Sequence, residues 1–307
     1  MSLETDLLLD RRRLKRRLVV WRVVSVIAVV AAVLAGLRGA GWTPSGAHLA
    51  RVSVDGLITE DRKLTEAIDA LADDRQVKAL ILSIDSPGGS VAGGENLHDA
   101  IARVATRKPV VAVMGGLAAS AGYMIAVPAN RIFAREATLT GSIGVLLETG
   151  EVSGLLGKLG INAEVIRSGP LKDEPSLVRP LSAEGKEVLQ GLVNDMYDQF
   201  VGIVATGRHM DAARIRALAD GRPYSGRQAL ALGLIDAIGG EREAKDWLTS
   251  EKGVAAGLPV EDVSTTGFAR HALSGQLGLM FQDVWKTLIS QSVSLDGGLA
   301  VWQRSAD

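Results

Sequence analysis

Three glycine-rich turns each follow a short β-rich run, and one of them carries a serine placed where a hydroxyl could act as a nucleophile. They are Asp85-Ser86-Pro87-Gly88-Gly89-Ser90 after Ala79–Ile84, Gly115-Gly116-Leu117-Ala118-Ala119-Ser120-Ala121-Gly122 after Val110–Met114, and Thr140-Gly141-Ser142-Ile143-Gly144. Open α/β sheets collect their sites at the C-terminal ends of strands, which is where such turns fall. Glycine and alanine let the second turn bend sharply and set Ser120 at the start of a helix over Ala121–Val127. Free N–H groups and the helix dipole favour developing negative charge there. A tetrahedral oxyanion also needs backbone donors, and the N–H groups of Gly89 and Ala121 are the candidates. Taken alone, the turn describes an ordinary N-cap serine at least as well, and glycine-rich turns commonly just close βα connections.

A nucleophilic serine needs a base. No histidine stands between Ser120 and His209, and His98 falls inside a helical pattern with no carboxylate arrangement that suggests a triad. Lysine can serve when its surroundings disfavour the charged form. Lys158 and Lys186 lie on helical patterns and read as solvated. Lys172 differs, standing in Ser168-Gly169-Pro170-Leu171-Lys172-Asp173 just after a β-rich run at Glu164–Ser168. It either projects back into the site or is a surface-loop lysine. Ser142 could hydrogen-bond the neutral amine and orient it. The histidines at 48, 98, 209 and 271 have no metal-ligand spacing and the chain has no cysteine, so neither a metal, a thiolate nor a disulfide is expected. No cofactor is expected either.

The elements that must hold these residues alternate. Strand patterns at His48–Val54, Ala79–Ile84, Pro109–Met114, Arg131–Ala134 and Glu164–Ser168 are separated by helical ones at Lys63–Ala72, Glu95–Ala105, Ala121–Val127 and Val152–Leu159. Such spacing indicates repeated βαβ units and a mostly parallel sheet, an α/β fold. A long helix capped by Ser182 should run to about Gly207, followed by shorter ones at Met210–Ala219 and Gly226–Leu232. Phe281–Ile289 has helical spacing but no residue that suggests chemistry.

The N-terminus reads differently. Arg11, Arg12, Arg13, Lys15, Arg16 and Arg17 precede an apolar run at 18–37 that only Arg22 interrupts. About twenty apolar residues suffice to cross a bilayer, and the basic block should stay in the cytoplasm. The high apolar fraction of 47% and positive mean hydropathy of +0.19 agree with one transmembrane helix. The expected organisation is a basic cytoplasmic segment (1–17), an anchor (18–37), a linker (38–47), an α/β body (48–250) beyond the membrane, and a partly helical C-terminal extension (251–307). A net charge of -1 argues against nucleic acid as a partner.

The motifs in order, Asp85-Ser86-Pro87-Gly88-Gly89, Ala119-Ser120-Ala121-Gly122-Tyr123, Thr140-Gly141-Ser142-Ile143-Gly144-Val145, Ser168-Gly169-x-x-Lys172-Asp173 and Gly221-Arg222-x-Tyr224-Ser225-Gly226, resemble the signal peptide peptidase A family over residues 48–245. The resemblance implies a fold like that of the Clp protease and the crotonases. It implies Ser120 as nucleophile, Lys172 as base, Ser142 as the partner of that base, and Gly89 with Ala121 as oxyanion donors. It further implies a membrane-anchored serine endopeptidase of the short, single-copy type, a homo-oligomeric ring or dome. Its substrates would be apolar, signal-peptide-like peptides at the outer face of the bacterial cytoplasmic membrane. Pro170-Leu171 ahead of Lys172 depart from the more polar residues of relatives. A crotonase-type acyl-CoA enzyme is the nearest rival, but such enzymes normally carry glycine at the Ser120 position and work where CoA is available. A non-catalytic membrane scaffold is disfavoured by the joint presence of Ser120, Lys172 and the oxyanion glycine.

Overall fold

The computed structural model describes residues 17, 20–29, 32 and 46–263. Strands β1 (His48–Ile58), β2 (Val77–Gly89), β3 (Val110–Ala119), β4 (Arg131–Ala134), β5 (Leu139–Gly141), β6 (Pro223–Ser225), β7 (Ala237–Ile238) and β8 (Val260–Asp262) form one sheet. Its order is β6-β5-β3-β2-β1-β8, with β4 between β3 and β7. Every pairing is parallel except β5 with β6. The α/β fold with a mostly parallel sheet is therefore present as the alternation predicts.

Side chains alternate across the sheet with period two, as strand geometry requires. Ala50, Val52 and Val54 of β1, Leu80, Leu82 and Ile84 of β2, and Val110, Ala112 and Met114 of β3 enter the larger core. Leu49, Ala79, Ile81 and Val111 face the other way into a second core, closed by Ala244 and Leu248. The last two belong to helix α8 (Glu241–Lys252), which the sequence patterns did not reveal. Strand β3 divides its pairing. Val111–Val113 bond β4 while Leu117–Ala119 bond β5, so the sheet opens beside the segment that delivers Ser120.

Helices α1 (Arg62–Asp73) and α2 (Val91–Ala105) flank the larger core, each begun by a side-chain cap: Asp61 accepts from the Leu64 N–H and Ser90 from the Gly93 N–H. After α3 (Ala121–Met124) and α4 (Ser153–Lys158), helix α5 (Ala183–Gly207) begins at Ser182, whose Oγ accepts from the Gly185 N–H at 2.9 Å. Helices α6 (Ala212–Leu218) and α7 (Gly226–Leu232) follow, the latter with a capping box between Ser225 and Gln228. Tyr224 takes no part in that cap; its hydroxyl donates to the Leu218 carbonyl.

Arg208, at the end of α5, is nearly buried and bonds both oxygens of Asp236, at 2.6 and 3.1 Å, and the Gly233 carbonyl. Asp236 also accepts the Ile132 N–H at 2.8 Å, so one carboxylate joins α5, β4 and the turn before β7. Replacing one partner of such a pair leaves the other desolvated and unneutralised. Arg208→Met should destabilise the body by about 3 kcal/mol, measurable as a fall in the urea unfolding midpoint. An unchanged midpoint would mean the pair has no structural weight.

Several expectations come out differently. The strand over Glu164–Ser168 does not form: residues 161–167 are irregular, with Ile166 96% exposed. β-branched residues adopt strands only against a partner, and among the described residues none pairs here. The helix after Ser120 ends at Met124 and continues as turns. The sheet also reaches past residue 250, because β8 pairs with β1. Residues 20–29 are helical, with exposed Trp21 and Ile27 among them. Among the described residues no helix is long and apolar enough to cross a membrane. The remainder of the 18–37 anchor, most of the basic segment and linker, and the Phe281–Ile289 helix lie outside the described residues.

Candidate active site

The turn from β3 into α3 puts Ser120 at φ 54°, ψ -123°, a conformation that L residues rarely adopt and that costs about 1–3 kcal/mol. Strand-to-helix turns of this kind lift a side chain out of the sheet edge. Three contacts hold it. The Ser120 N–H donates to the Gly141 carbonyl at 2.9 Å, tying the turn to β5. The Ser120 carbonyl accepts from the Tyr123 and Met124 N–H groups, both at 2.9 Å. Below, Tyr123 is fully buried and donates its hydroxyl to the Leu234 carbonyl at 2.7 Å. Burial holds its phenol above the usual range, so it serves as packing and not as an acid or base. Among the described residues the Ser120 hydroxyl has no hydrogen bond, in particular no N-cap bond to α3. The capping role, open from the sequence, is not what this serine does.

The first turn lies against the second. Gly88, at φ +107°, approaches so closely that a Cβ there would lie 2.7 Å from the Ser120 Cβ and 3.1 Å from the Ala121 nitrogen. Its N–H is held by the buried Ser86 Oγ at 3.1 Å. The next residue, Gly89, pairs with Ile58 of β1, and a Cβ on it would meet the Ile58 carbonyl oxygen at 1.9 Å. Asp85 does not orient the Gly88-Gly89 peptide; its carboxylate accepts the Leu117 N–H at 3.0 Å and so shapes β3 just before Ser120.

The third turn joins through β5. Ala119 sits opposite Gly141, and Ser142 follows at φ 49°. The Ser142 hydroxyl donates to the Gly221 carbonyl at 3.1 Å and its N–H to the Arg222 carbonyl at 3.1 Å. Residues 223–225 pair antiparallel with β5, and the carbonyls of Gly221 and Arg222 just before them hold Ser142, so this segment backs the third turn.

Four of the five expected site residues, Gly89, Ser120, Ala121 and Ser142, therefore meet at the ends of β2, β3 and β5. Lys172 lies on a different segment, the loop between α4 and α5. It is exposed on an irregular loop, its N–H donates to the Gly169 carbonyl at 3.2 Å, and its ammonium makes no hydrogen bond or ion pair among the described residues. The loop is nevertheless built: Asp173 takes Arg179 through Nη2 at 2.8 Å and Nε at 3.2 Å, and the Leu177 carbonyl accepts the Val152 N–H at 2.8 Å. Arg179 holds the Asp173 carboxyl below its usual range. A cavity of about 710 Å³ lined by His98, Ile203, Arg208, His209 and Asp236 includes none of the five residues. Among the described residues no cluster could hold a metal.

The profile of peptidase family S49 matches residues 102–255, half of the chain, and that of the Clp protease family matches 55–143. A chain of Synechocystis sp. named for protease activity is 38% identical over 213 residues, covering 69% of this chain and 77% of its own. A chain of Enterococcus faecium named for signal peptide peptidase activity is 35% identical over 248 residues, covering 76% and 72%. Protease 4 of Salmonella typhi is 36% identical over 196 residues, which are 64% of this chain but only 31% of that larger protein. The matched stretches contain Ser120, Ser142 and the Lys172 loop within the S49 span, and with the strained serine turn already in place, the chain belongs to peptidase family S49.

Proposed function

We propose that this chain is a serine endopeptidase in which Ser120 attacks and Lys172 is the base. The observation that carries this reading is the Ser120 turn: a strained serine, wedged between Gly88 and Gly141, with its hydroxyl uncommitted. Neutral Lys172 takes the Ser120 proton as Oγ bonds to a peptide carbonyl carbon. The resulting oxyanion is held by the N–H groups of Gly89 and Ala121. The lysine then passes its proton to the leaving amine, and water hydrolyses the acyl-enzyme. Ser142 suits its part because its own O–H is given to Gly221, leaving its lone pairs to accept an N–H from the lysine.

The site completes itself between copies of the chain. The segment that carries Lys172 also exposes Leu146, Leu155, Leu159, Ile161, Ile166 and Leu177, an apolar load that solvent does not favour and a neighbouring subunit would cover. Such a contact brings the lysine of one copy to the serine of the next. Substrates are apolar peptides, remnant signal peptides among them. The apolar run at 18–37 anchors the body at the outer face of the bacterial cytoplasmic membrane.

The test uses the full chain in detergent and a fluorogenic apolar peptide. Ser120→Ala and Lys172→Ala, each silent alone, should recover on the order of a quarter of parental activity when co-assembled, because random mixing gives that share of competent junctions. Silence of the mixture would assign both residues to one subunit. An inactive parent would sink the peptidase reading of this chain.

A further inference from the structure

A lysine base works only when neutral, yet Lys172 is followed directly by two carboxylates, Asp173 and Glu174. An ammonium beside a free carboxylate is held in its charged form. The structure removes both. Asp173 is gripped by Arg179, whose Nη2 and Nε reach Oδ2 and whose Nη2 also reaches the Asp173 carbonyl at 3.4 Å. Arg167 contributes further positive charge near the same carboxylate. Glu174 turns to the start of α5, packed so tightly on Gly185 that a Cβ there would meet its Cδ at 2.7 Å. Its Oε2 is buried with no hydrogen-bond partner among the described residues, near the N-terminus of a 25-residue helix, where the dipole favours a negative charge.

We infer that Arg179 is a positioning residue for catalysis: it sequesters Asp173 so that the carboxylate next to Lys172 cannot pair with the amine and hold it protonated. Glu174 is withdrawn onto α5 to the same end. The inference rests on Lys172 being the base. The charged groups that reach Asp173 are Arg179 and Arg167, and among the described residues no ion pair reaches Lys172 itself. The sign follows. Freeing Asp173 lets its carboxylate pair with the lysine ammonium, which moves the acid limb of kcat/KM to higher pH.

The experiment measures kcat/KM against pH for the assembled full chain with a fluorogenic apolar peptide. Arg179→Gln should move the acid limb upward by about one pH unit. Arg179→Lys, which keeps the charge, should move it less. The double variant Asp173→Asn with Arg179→Gln should return it to the parental position, since the offending carboxylate is gone. If Arg179→Gln lowers kcat/KM equally at every pH, or if its shift survives in the double variant, Arg179 merely shapes the loop and the inference falls. Lys172→Ala is run alongside. Near-parental activity in that variant removes the base assignment itself, whereas silence with an unmoved acid limb in Arg179→Gln removes only the role of Arg179.

Discussion

Ser120→Ala and Lys172→Ala are each expected to lower kcat/KM by about a thousandfold or more, with the double variant no worse than either. The two groups act in one proton transfer, so removing either abolishes the step and the second loss has nothing left to remove. Stability should hardly change. Among the described residues the Ser120 hydroxyl makes no hydrogen bond and the exposed Lys172 ammonium has no partner, so neither truncation leaves a buried polar group unsatisfied. Peptide hydrolysis and the unfolding midpoint, measured on the same preparations, separate the two effects. Activity within tenfold of the parent in either variant, with the assembly intact, would remove that residue from the mechanism. Independent, additive losses would mean that the serine and lysine do not share a step.

The second large effect should come from a residue with no chemistry of its own. Gly88→Ala places a methyl 2.7 Å from the Ser120 Cβ and 3.0 Å from the Ala119 carbonyl oxygen, on a backbone at φ +107° that alanine rarely adopts. Neither contact is with the far end of a flexible side chain, so the turn bearing the nucleophile must shift. A displacement approaching 1 Å costs about a hundredfold in rate, and the backbone strain adds about 1–3 kcal/mol to the cost of folding. Gly150→Ala is the control, since a Cβ there meets nothing within 4 Å. The expected pattern is a collapse of kcat/KM for the first and parental behaviour for the second. Equal activities would show that the β2 turn can move away from Ser120 without consequence.

How legible the chain is depends on the range of the interactions that decide each feature. Strands β1 to β4 announce themselves through apolar runs, and α5 through its Ser182 cap, which acts within three residues. Glycine-rich turns after strands located Ser120, Gly89, Ala121 and Ser142, because a turn's residue types are dictated by its own backbone. The same local logic failed at Glu164–Ser168, where β-branched residues have no strand to pair with, and at Ala121–Val127, where the helix stops after one turn. It also missed α8 and β8, which owe their places to the second core and to the edge of β1.

Residue types and spacing by themselves determined that this chain forms a mostly parallel α/β sheet with a serine at a strand end and a lysine in a later loop. Only the tertiary structure decided that Gly88 touches Ser120, that Gly221 takes the Ser142 hydroxyl, that Arg179 occupies Asp173, and that Lys172 lies open to solvent. Local conformation follows from a few neighbouring residues, whereas these contacts join segments whose approach is set by packing across the whole sheet and by a loop that folds back on itself.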